Sequence, residues 1–550
     1  MTNARRTVIV GGVAGGMSAA TRLRRLNETD DIVVLERGPH VSYANCGLPY
    51  LVGGVIAEEG SVLLQTPRSL GARFGLDVRT RHEVTAVDPV RKVVTVRDLA
   101  ADAAFELAYD DLVLSTGAAP VRPAVPGIDR ALACRDLDDV GRMMRAIDEG
   151  AATAAVIGAG FIGLEMAENL VRRGLAVTVL EAAPQVLGPV DVELAAVVES
   201  ALRAAGVAVV TGARVVGVRS DTVVLADGAS VPADLVVLAA GVRPESRLAV
   251  AAGAEVSDTG AIYVDDHQRT SVPGVYAVGD AVAKRSPRGM RDVPLANTAN
   301  LQGRRVADVL SGHASTARLT RGTAIVEVLG TVVAMTGDSE RTCRLRGIDV
   351  RVLHSHPLDH AGYYPGAEQM SLKLVVDAAD DAILGAQAVG GTGVDKRIDV
   401  IATAMAAGLR ASDLANLELA YAPQFGSAKD PVNMLGYMAE NLRDGRSRTV
   451  QWHELDEAVA GGARLVDVRT AGEFAQDAVA GALNIPLDEL RARIAELGPS
   501  VVVYCAVGQR GHVAARILAQ HGIDVRNLDG GIRTWRAAAG RSPAWRTSDH

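Results

Sequence analysis

Alternating apolar and glycine-rich segments predict two strand–turn–helix–strand units in this chain. In the first, the β-branched run TVIV ends at Gly11, and GGVAGG then precedes a stretch of helical composition. A second apolar run, DIVVLE, follows and ends in Glu36. Residues 154–181, AAVIGAGFIGLEMAENLVRRGLAVTVLE, repeat the pattern. Short apolar runs bounded by glycine are typical of buried parallel strands, so the pattern predicts an α/β fold.

The first glycine-rich turn has the chemistry of a nucleotide site. Glycines let the backbone approach a pyrophosphate at a helix N-terminus, where the helix dipole favours an anion. Glu36 can accept hydrogen bonds from ribose hydroxyls, and Asp280, after the apolar run VYAVG, can bind the ribitol of a flavin. The turn departs from the GxGxxG motif at its middle glycine position, where it has Val13. The alternative to a nucleotide site is a turn whose small residues serve packing only. The predicted FAD residues are Gly11, Gly12, Ala14, Gly15, Gly16, Glu36, Arg37, Ser115, Thr116, Gly117, Gly279 and Asp280.

The second unit matches GxGxxG completely, with Gly158, Gly160 and Gly163. Glu181 ends its second strand, where an acid accepts from a free 2′-hydroxyl and repels a 2′-phosphate. No arginine follows directly, so the pattern favours NADH over NADPH. Gly241 lies in the strand and turn that close this domain. Two nucleotide units, the second inserted in the first, indicate a flavin and a nicotinamide, and the alternative is two units that only pack.

The composition excludes several classes of protein. The chain has 550 residues, 57.2 kDa, a net charge of −8 and a pI of about 5.8, so it predicts several domains and gives no attraction to nucleic acid or anionic lipid. No apolar run is long enough to span a membrane, and MTNARRTVIV lacks the apolar region of a signal peptide. The four cysteines form no disulfide framework and have no zinc spacing, so no metal site and a reducing cytoplasm are expected.

Two of the four cysteines stand in chemically informative surroundings. Cys46, in SYANCGLPY, follows the first nucleotide unit, where a thiol could reach the ring of the cofactor; the alternative is an inert buried thiol. Cys505 follows a buried apolar run and begins CAVGQR, a loop that leads into a helix. Loop N–H groups, the helix dipole and Arg510 would stabilise a thiolate there, and the alternative is a core cysteine. Cys134 and Cys343 match no catalytic pattern and are predicted to be structural.

Tyrosines cluster in two loops of residues 322–445, a region that predicts mixed strands and helices. The loops are HAGYYPGA, with Tyr363 and Tyr364, and LAYAPQFGSAKDP, with Tyr421. The chain has only 18 aromatic residues of the Phe, Trp and Tyr types, so tyrosines in glycine- and proline-rich loops are poor candidates for core packing. A phenol can protonate a thiolate leaving group. The alternative is a packed tyrosine with a hydrated hydroxyl.

The order of these motifs over residues 5–440 resembles the flavoprotein disulfide reductases. SYANCGLPY resembles the single-cysteine branch, which contains coenzyme A disulfide reductases, NADH oxidases and NADH peroxidases. The stretch from 452 to 545, including NLDGGIRTW, resembles a single-domain rhodanese, after a polar linker at 441–451. The resemblance implies a discontinuous FAD-binding domain, an NAD-binding domain, an α+β dimerisation domain and a rhodanese domain, at 1–120 with 250–321, 121–249, 322–445 and 446–550 respectively.

The resemblance also implies a homodimer in which the active-site cysteine meets tyrosines from the partner subunit, carried over here as Tyr363 and Tyr421. Coenzyme A would pass Arg22, Ser42, Asn45 and Asn300. Leu301 stands where members often have arginine, which puts one cationic contact to the coenzyme A phosphates in doubt. Cys46, Tyr363, Tyr421, Cys505 and Arg510 are the predicted catalytic residues.

The resemblance therefore predicts an NADH-dependent FAD enzyme that reduces coenzyme A disulfide, coenzyme A persulfide or polysulfide through Cys46, joined to a rhodanese sulfurtransferase. One alternative is an NADH oxidase or peroxidase that uses a Cys46 sulfenic acid. Another is a sulfur-relay protein whose flavin unit is vestigial or a redox sensor. The sequence does not rank the sulfur substrates.

Overall fold

The computed structural model describes residues 4–541 and divides the chain into two compact units. The first comprises Met1–Ala182 and Ala213–Gly322, and the second comprises Ala183–Gly212 and Thr323–His550. The predicted C-terminal boundary at 550 lies outside the described residues. Within residues 4–541, no helix is both long and apolar enough to cross a membrane.

The first unit is built around a five-stranded parallel sheet. Its order is Val275–Ala277, Asp111–Leu114, Arg6–Val10, Asp31–Glu36 and Asp77–Thr80. The helices Ala14–Leu26 and Ala296–Leu310 pack closely, because Gly303 lies against the carbonyl oxygen of Gly15, where a Cβ would clash. The central strands are buried except at Arg6, the first residue of its strand, which is consistent with their continuous apolar runs.

A second parallel sheet in the same unit carries the second glycine-rich motif. Within this unit its strands are Ala176–Glu181, Thr153–Ile157 and Leu235–Leu238, and the helix Phe161–Arg172 follows the turn. The other strands pair antiparallel: His82–Asp88, Val93–Asp98 and Ala103–Ala108; Val215–Val218, Thr222–Leu225 and Ser230–Pro232; Ala118–Pro120 with Val242–Pro244; and Ala283–Ser286 with Gly289–Asp292. The other helices are Leu48–Val52, Pro67–Phe74, Leu137–Asp148 and Arg247–Ala251, with 3-10 turns at Asn45–Gly47, Glu59–Val62, Ile128–Arg130 and Gly279–Ala281.

The second unit begins with the helix Val192–Ala204 and the strand Ala208–Thr211, a segment that the sequence assigned to the NAD-binding domain. An antiparallel five-stranded sheet follows, in the order Ala324–Val328, Thr331–Gly337, Ile383–Gly390, Ser371–Asp377 and Val350–Ser355. Its helices are Glu340–Leu345, Val394–Ala407 and Pro431–Arg443, with a 3-10 turn at Ser412–Asn416. Apolar residues of the sheet and the two longer helices form one core.

The same unit ends in a five-stranded parallel sheet, in the order Thr449–Val450, Asp524–Leu528, Ser500–Tyr504, Arg464–Asp467 and Leu483–Asn484. The surrounding helices are Leu455–Ala460, Ala471–Gln476, Gln509–Gln520 and Gly531–Ala537, with 3-10 turns at Trp452–Glu454, Leu490–Ala492 and Ile494–Glu496. The predicted mixed α/β class with parallel sheets is confirmed.

Candidate active sites

The two glycine-rich turns have the same backbone construction. Gly11 and Gly158 have φ angles of +102° and +103°, and a Cβ on either would clash with a carbonyl oxygen of a neighbouring strand end, that of Ser115 or Ala239. The last glycines, Gly16 and Gly163, lie in the same way against the carbonyl oxygens of Gly11 and Gly158. At Gly11 and Gly158 only glycine tolerates the positive φ together with the close approach, and at Gly16 and Gly163 the close approach alone excludes a Cβ. Gly160 has no atom within 4 Å of its would-be Cβ, so backbone is open to a ligand there.

The acids that end the second strands brace these turns. Glu36 accepts hydrogen bonds from the backbone N–H groups of Gly12 at 2.8 Å and Gly38 at 2.7 Å. Glu181 accepts from the backbone N–H of Ala159 at 2.7 Å. A carboxylate has further lone pairs, so each can still accept from a ribose hydroxyl. The sequence predicted the ribose role, and the bracing role becomes visible only in three dimensions.

A cavity of about 270 Å³ opens beside the first turn. Nine residues predicted to bind FAD or coenzyme A line it: Gly11, Gly12, Glu36, Arg37, Asn45, Ser115, Thr116, Gly117 and Asp280. The remaining predicted FAD residues, Ala14, Gly15, Gly16 and Gly279, lie in the helix start and in the turn before Asp280 and do not line this cavity. Gly241 follows the strand Leu235–Leu238 of the second nucleotide sheet.

Asp280 supports the fit of a flavin to this cavity. Its Oδ1 atom is buried and has no hydrogen-bond partner among the residues the structure describes, and Lys284 Nζ lies 3.8 Å away. Burial raises the pKa of Asp280, and Lys284 partly opposes that rise. A buried acceptor without a partner is costly. A ribitol hydroxyl could satisfy it, which is the role that the sequence predicts for Asp280.

Cys46 lies in the 3-10 turn Asn45–Gly47 and is exposed. The local protein raises the pKa of its thiol, first by desolvation and then through the negative charges of Glu165 and Asp280. The hydroxyl of Tyr50 donates to Glu165 at 3.2 Å. Sequence reasoning missed Glu165, although an acid two positions after Gly163 is conspicuous in an otherwise apolar motif. A thiolate at Cys46 therefore needs a compensating donor or positive charge.

The other two reductase-region cysteines differ from Cys46. Cys134 is partly exposed, and burial raises the pKa of its thiol to about 12. Cys343 is fully buried in an apolar cluster. A thiol that stays protonated at neutral pH is a poor nucleophile. The structural roles predicted for both are compatible with these surroundings.

The residues predicted to meet coenzyme A are partly engaged within the protein. Arg22 Nε donates to Asp308 at 2.8 Å, and the Asn300 side chain accepts from the Ser18 hydroxyl at 2.5 Å. Ser42 has a positive φ of 49° and its N–H donates to the Gly12 carbonyl, which places it beside the first turn. Leu301 is 61% exposed. A phosphate at Arg22 would have to compete with Asp308.

Tyr363 and Tyr421 meet in space. Their hydroxyl oxygens lie 3.0 Å apart, and their residues are 76% and 48% exposed. Tyr364 turns away and packs edge-on against His360, with ring centroids 5.7 Å apart. The geometry thus distinguishes the two adjacent tyrosines and favours Tyr363 as the chemical partner of Tyr421.

Cys505 directly follows the strand Ser500–Tyr504 and is fully buried. The helix Gln509–Gln520 begins four residues later, after Gly508 with a φ of +89°. Backbone N–H groups of Ile532 and Arg533 donate to the carbonyl oxygens of Cys505 and Ala506 at 2.9 and 3.1 Å. The loop is therefore fixed at its first residues by the segment after the neighbouring strand.

Arg510 is less available than the sequence suggested. Its guanidinium donates two hydrogen bonds to Glu473, at 2.8 and 2.6 Å. The ion pair lowers the pKa of Glu473 to about 2, chiefly through the hydrogen bonds from Arg510. Glu473 therefore offsets part of the positive charge predicted beside Cys505, although Arg510 also interacts with the Cys505 side chain. Sequence reasoning missed Glu473, which lies in the helix Ala471–Gln476, whereas Arg510 lies in the helix Gln509–Gln520.

Family models match nearly the whole chain. The pyridine nucleotide-disulphide oxidoreductase model matches residues 5–303, its dimerisation domain matches 324–431, and the rhodanese-like domain matches 451–538. The chain belongs to the pyridine nucleotide-disulphide oxidoreductases and carries a C-terminal rhodanese-like domain. It is an oxidoreductase, and the predicted FAD and NADH are the cofactors of this family. The predicted Rossmann-like, dimerisation and rhodanese-like folds are confirmed.

Three relatives cover most of the chain. It is similar to the reduced CoADR-RHD of Bacillus anthracis, at 43% identity, with a TM-score of 0.96 over 97% of this chain and 98% of the other. A NAD-dependent persulfide reductase from A. fulgidus is 37% identical, with a TM-score of 0.91 over 96% of this chain and all of the other. The coenzyme A disulfide reductase of Staphylococcus haemolyticus is 33% identical over 442 residues, 80% of this chain and 100% of that protein.

Proposed function

We propose that this protein uses NADH to reduce coenzyme A disulfide, coenzyme A persulfide or polysulfide at Cys46, and that Cys505 transfers sulfane sulfur. The observation that carries the proposal is Cys46, an exposed lone thiol next to Asn45, which lines the cavity of the first glycine-rich turn. The similarity to a coenzyme A disulfide reductase and to a persulfide reductase that also spans the rhodanese-like region supports it.

In the proposed reaction, the sulfur of Cys46 attacks one sulfur of the substrate. With a coenzyme A disulfide, a Cys46–S–S bond forms, the substrate S–S bond breaks, and one thiol leaves with a proton. With a coenzyme A persulfide, hydrosulfide is the leaving group. The first glycine-rich turn, Glu36 and Asp280 would hold FAD, and the second turn and Glu181 would hold NADH; together these cofactors would provide the two electrons that the mixed disulfide needs for its reduction.

The protein's own groups handle the protons in this proposal. The phenols of Tyr363 and Tyr421 donate to the departing sulfur, as positioned general acids do. We include in the proposal that the chain acts as a homodimer, which the dimerisation-domain match supports. We also propose that it works in the cytoplasm. Arg22, Ser42, Asn45 and Asn300 are proposed to contact coenzyme A, with Leu301 in place of one cationic contact.

A substrate panel tests the function. Anaerobic NADH oxidation should proceed with coenzyme A disulfide or coenzyme A persulfide, with sulfide released in the second case and measured beside NADH loss. Oxygen and hydrogen peroxide are the matched comparison substrates, because they test a sulfenic acid at the same cysteine. Turnover of peroxide that equals or exceeds that of every sulfur substrate would contradict the proposal. A purified protein without flavin absorbance would contradict the redox role altogether.

A further inference from the structure

A buried histidine joins the antiparallel sheet of the second unit to the sheet that carries Cys505. His354, on the strand Val350–Ser355, is 2% exposed. Its Nδ1 atom lies 2.7 Å from Asp529 Oδ2, and its Nε2 atom lies 3.0 Å from Glu193 Oε1. Ionised carboxylates only accept hydrogen bonds, so both ring nitrogens carry protons and the ring is an imidazolium.

The surroundings of this imidazolium are strongly charged. Lys373 is completely buried, and its Nζ atom lies 2.5 to 2.9 Å from carboxylate oxygens of Glu193, Glu340 and Asp191. With Asp529, four carboxylates face the two buried cations. Arg344, which is partly exposed, donates to Glu340 at the edge of the group. Loss of the charge on His354 would therefore leave buried negative charge without compensation.

Asp529 leads directly into the segment that holds the Cys505 loop. The His354 backbone N–H also donates to Asp529, at 2.9 Å. The next residues, Gly530 and Gly531, have φ angles of +68° and +64°. A Cβ on Gly530 would lie 2.8 Å from the Cβ of His354, and one on Gly531 would clash with the Cys505 carbonyl oxygen. These two glycines thus pack between His354 and the sulfur-transfer loop.

We propose that His354 is a positioning residue for sulfur transfer at Cys505, because its imidazolium between Glu193 and Asp529 fixes the segment that carries the loop. The proposal rests on the sulfurtransferase function proposed above. It makes a strand of the dimerisation domain part of the support of the rhodanese-like site. The backbone hydrogen bonds from Ile532 and Arg533 to the carbonyl oxygens of Cys505 and Ala506 connect that segment to the loop, so the position of the segment determines the position of the loop.

The support depends on the charge of the ring. Burial alone would lower the pKa of His354, but the hydrogen bonds to Asp529 and Glu193 outweigh it and raise the pKa to about 9. Lys373 opposes the charge, and the neighbouring His356, whose pKa burial lowers to about 3, stays neutral. The His354 ring is therefore charged at neutral pH and donates to both Asp529 and Glu193. This pair of charged hydrogen bonds is lost as the pH rises through about 9.

The experiment follows the loading of Cys505 by thiosulfate in the full-length holoenzyme. In this half-reaction the Cys505 thiolate takes the outer sulfur, the thiosulfate S–S bond breaks, and sulfite leaves and is measured. His354→Gln should slow sulfite release about 10- to 100-fold at pH 7.5, because a small displacement of reacting groups has effects of that size. The wild-type decline near pH 9 should disappear from the variant's profile. NADH-dependent reduction should keep its rate.

His356→Gln is the matched control. His356 lies on the extension of the same strand and contacts Thr534 at 2.8 Å, yet it is neutral, so its loss should not move the decline near pH 9. Asp529→Asn should move that decline to lower pH, because it removes a carboxylate that raises the pKa of His354. This variant tests the positioning role if His354→Gln does not fold. Equal rates and profiles in wild type and His354→Gln, or no wild-type decline between pH 8 and 10, would overturn the positioning role. Absence of any sulfite release from wild type would overturn the sulfurtransferase function and the positioning role together.

Discussion

The Tyr363 and Tyr421 hydroxyls share a hydrogen bond of 3.0 Å across 58 positions of sequence. That bond is the main cause of a raised pKa at Tyr421. A phenol has an ordinary pKa of about 10, so Tyr421 is protonated at neutral pH and has a proton that it can donate. A pair of phenols on exposed loops has little to contribute to the core, so its arrangement favours a chemical role.

Removal of either hydroxyl should slow sulfur reduction. We expect Tyr421→Phe to lower kcat/KM for the disulfide or persulfide about 100-fold, since a positioned general acid contributes about that much. Tyr363→Phe should have a similar effect, and the double variant should be little worse than either single one, because the two act as a unit. Steady-state NADH oxidation measures all three. Tyr364→Phe should leave the rate unchanged, and a strictly multiplicative double variant would argue against a shared proton.

Replacement of Cys46 by serine should abolish reduction without loss of the flavin. The hydroxyl cannot form the mixed disulfide, so turnover should fall to background while the visible flavin spectrum persists. Cys134→Ser serves as the control for thiol replacement and should retain turnover. Retention of sulfur reduction by Cys46→Ser would remove this residue from the mechanism.

Cys505→Ser should separate the two activities. Thiosulfate-dependent sulfite release should be lost, because no persulfide can form on serine, while reduction of an added small disulfide should continue. Cys343→Ala, at the other fully buried cysteine, should preserve both activities. Simultaneous loss of both activities in Cys505→Ser would show that the two sites are obligately coupled.

Glu181 should set the choice between the two nicotinamides. Glu181→Ala removes the carboxylate that accepts from a 2′-hydroxyl and repels a 2′-phosphate. We expect the ratio of kcat/KM for NADH over NADPH to fall about tenfold or more. Any decrease of kcat/KM for NADH would come in part from the turn itself, because the variant also loses the hydrogen bond from the Ala159 backbone N–H to Glu181. Glu36→Ala, the equivalent change in the first unit, should lower flavin retention and not the nicotinamide ratio; the reverse result would exchange the two assignments.

The buried lysine should be essential for stability. Lys373→Met leaves Asp191, Glu193 and Glu340 close together without their cation, which should cost about 3–5 kcal/mol of unfolding free energy. Lys396→Met, at a partly exposed lysine near Asp430, should cost less than about 1 kcal/mol. Thermal unfolding of both variants and wild type provides the comparison.

The effect of Lys373 should also depend on pH. Burial opposes ionisation of Glu193, but Lys373 and His354 outweigh it and lower its pKa to about 2. The stabilisation from this carboxylate is present above the pKa of an unfolded glutamate, about 4.3, and is lost as the pH falls through about 2. The difference between wild type and Lys373→Met should therefore shrink in acid. A difference that stays constant from pH 7 to pH 3 would contradict the charge account.

Local motifs predicted much of the fold because their signals are short in sequence. The turns at Gly11–Gly16 and Gly158–Gly163 each combine a strand, a backbone that only glycine can adopt and a helix, and the structure has all three in both places. The sequence did not predict the positions of Glu165 near Cys46 and of Glu473 at Arg510, or the contacts of Lys373 with Asp191, Glu193 and Glu340. Their partners lie on other elements, and a buried ion pair leaves no periodic pattern in the sequence.

The sequence by itself determined the two nucleotide units, the isolated position of Cys46 and the loop at Cys505, because each depends on residues that are neighbours along the chain. Only the tertiary structure decided that Tyr363 and not Tyr364 meets Tyr421, that Glu473 pairs with Arg510, and that His354 supports the Cys505 loop. These relationships join residues from 37 to 175 positions apart. They depend on how strands and helices pack, and packing brings together groups whose charges and hydrogen-bonding atoms are complementary.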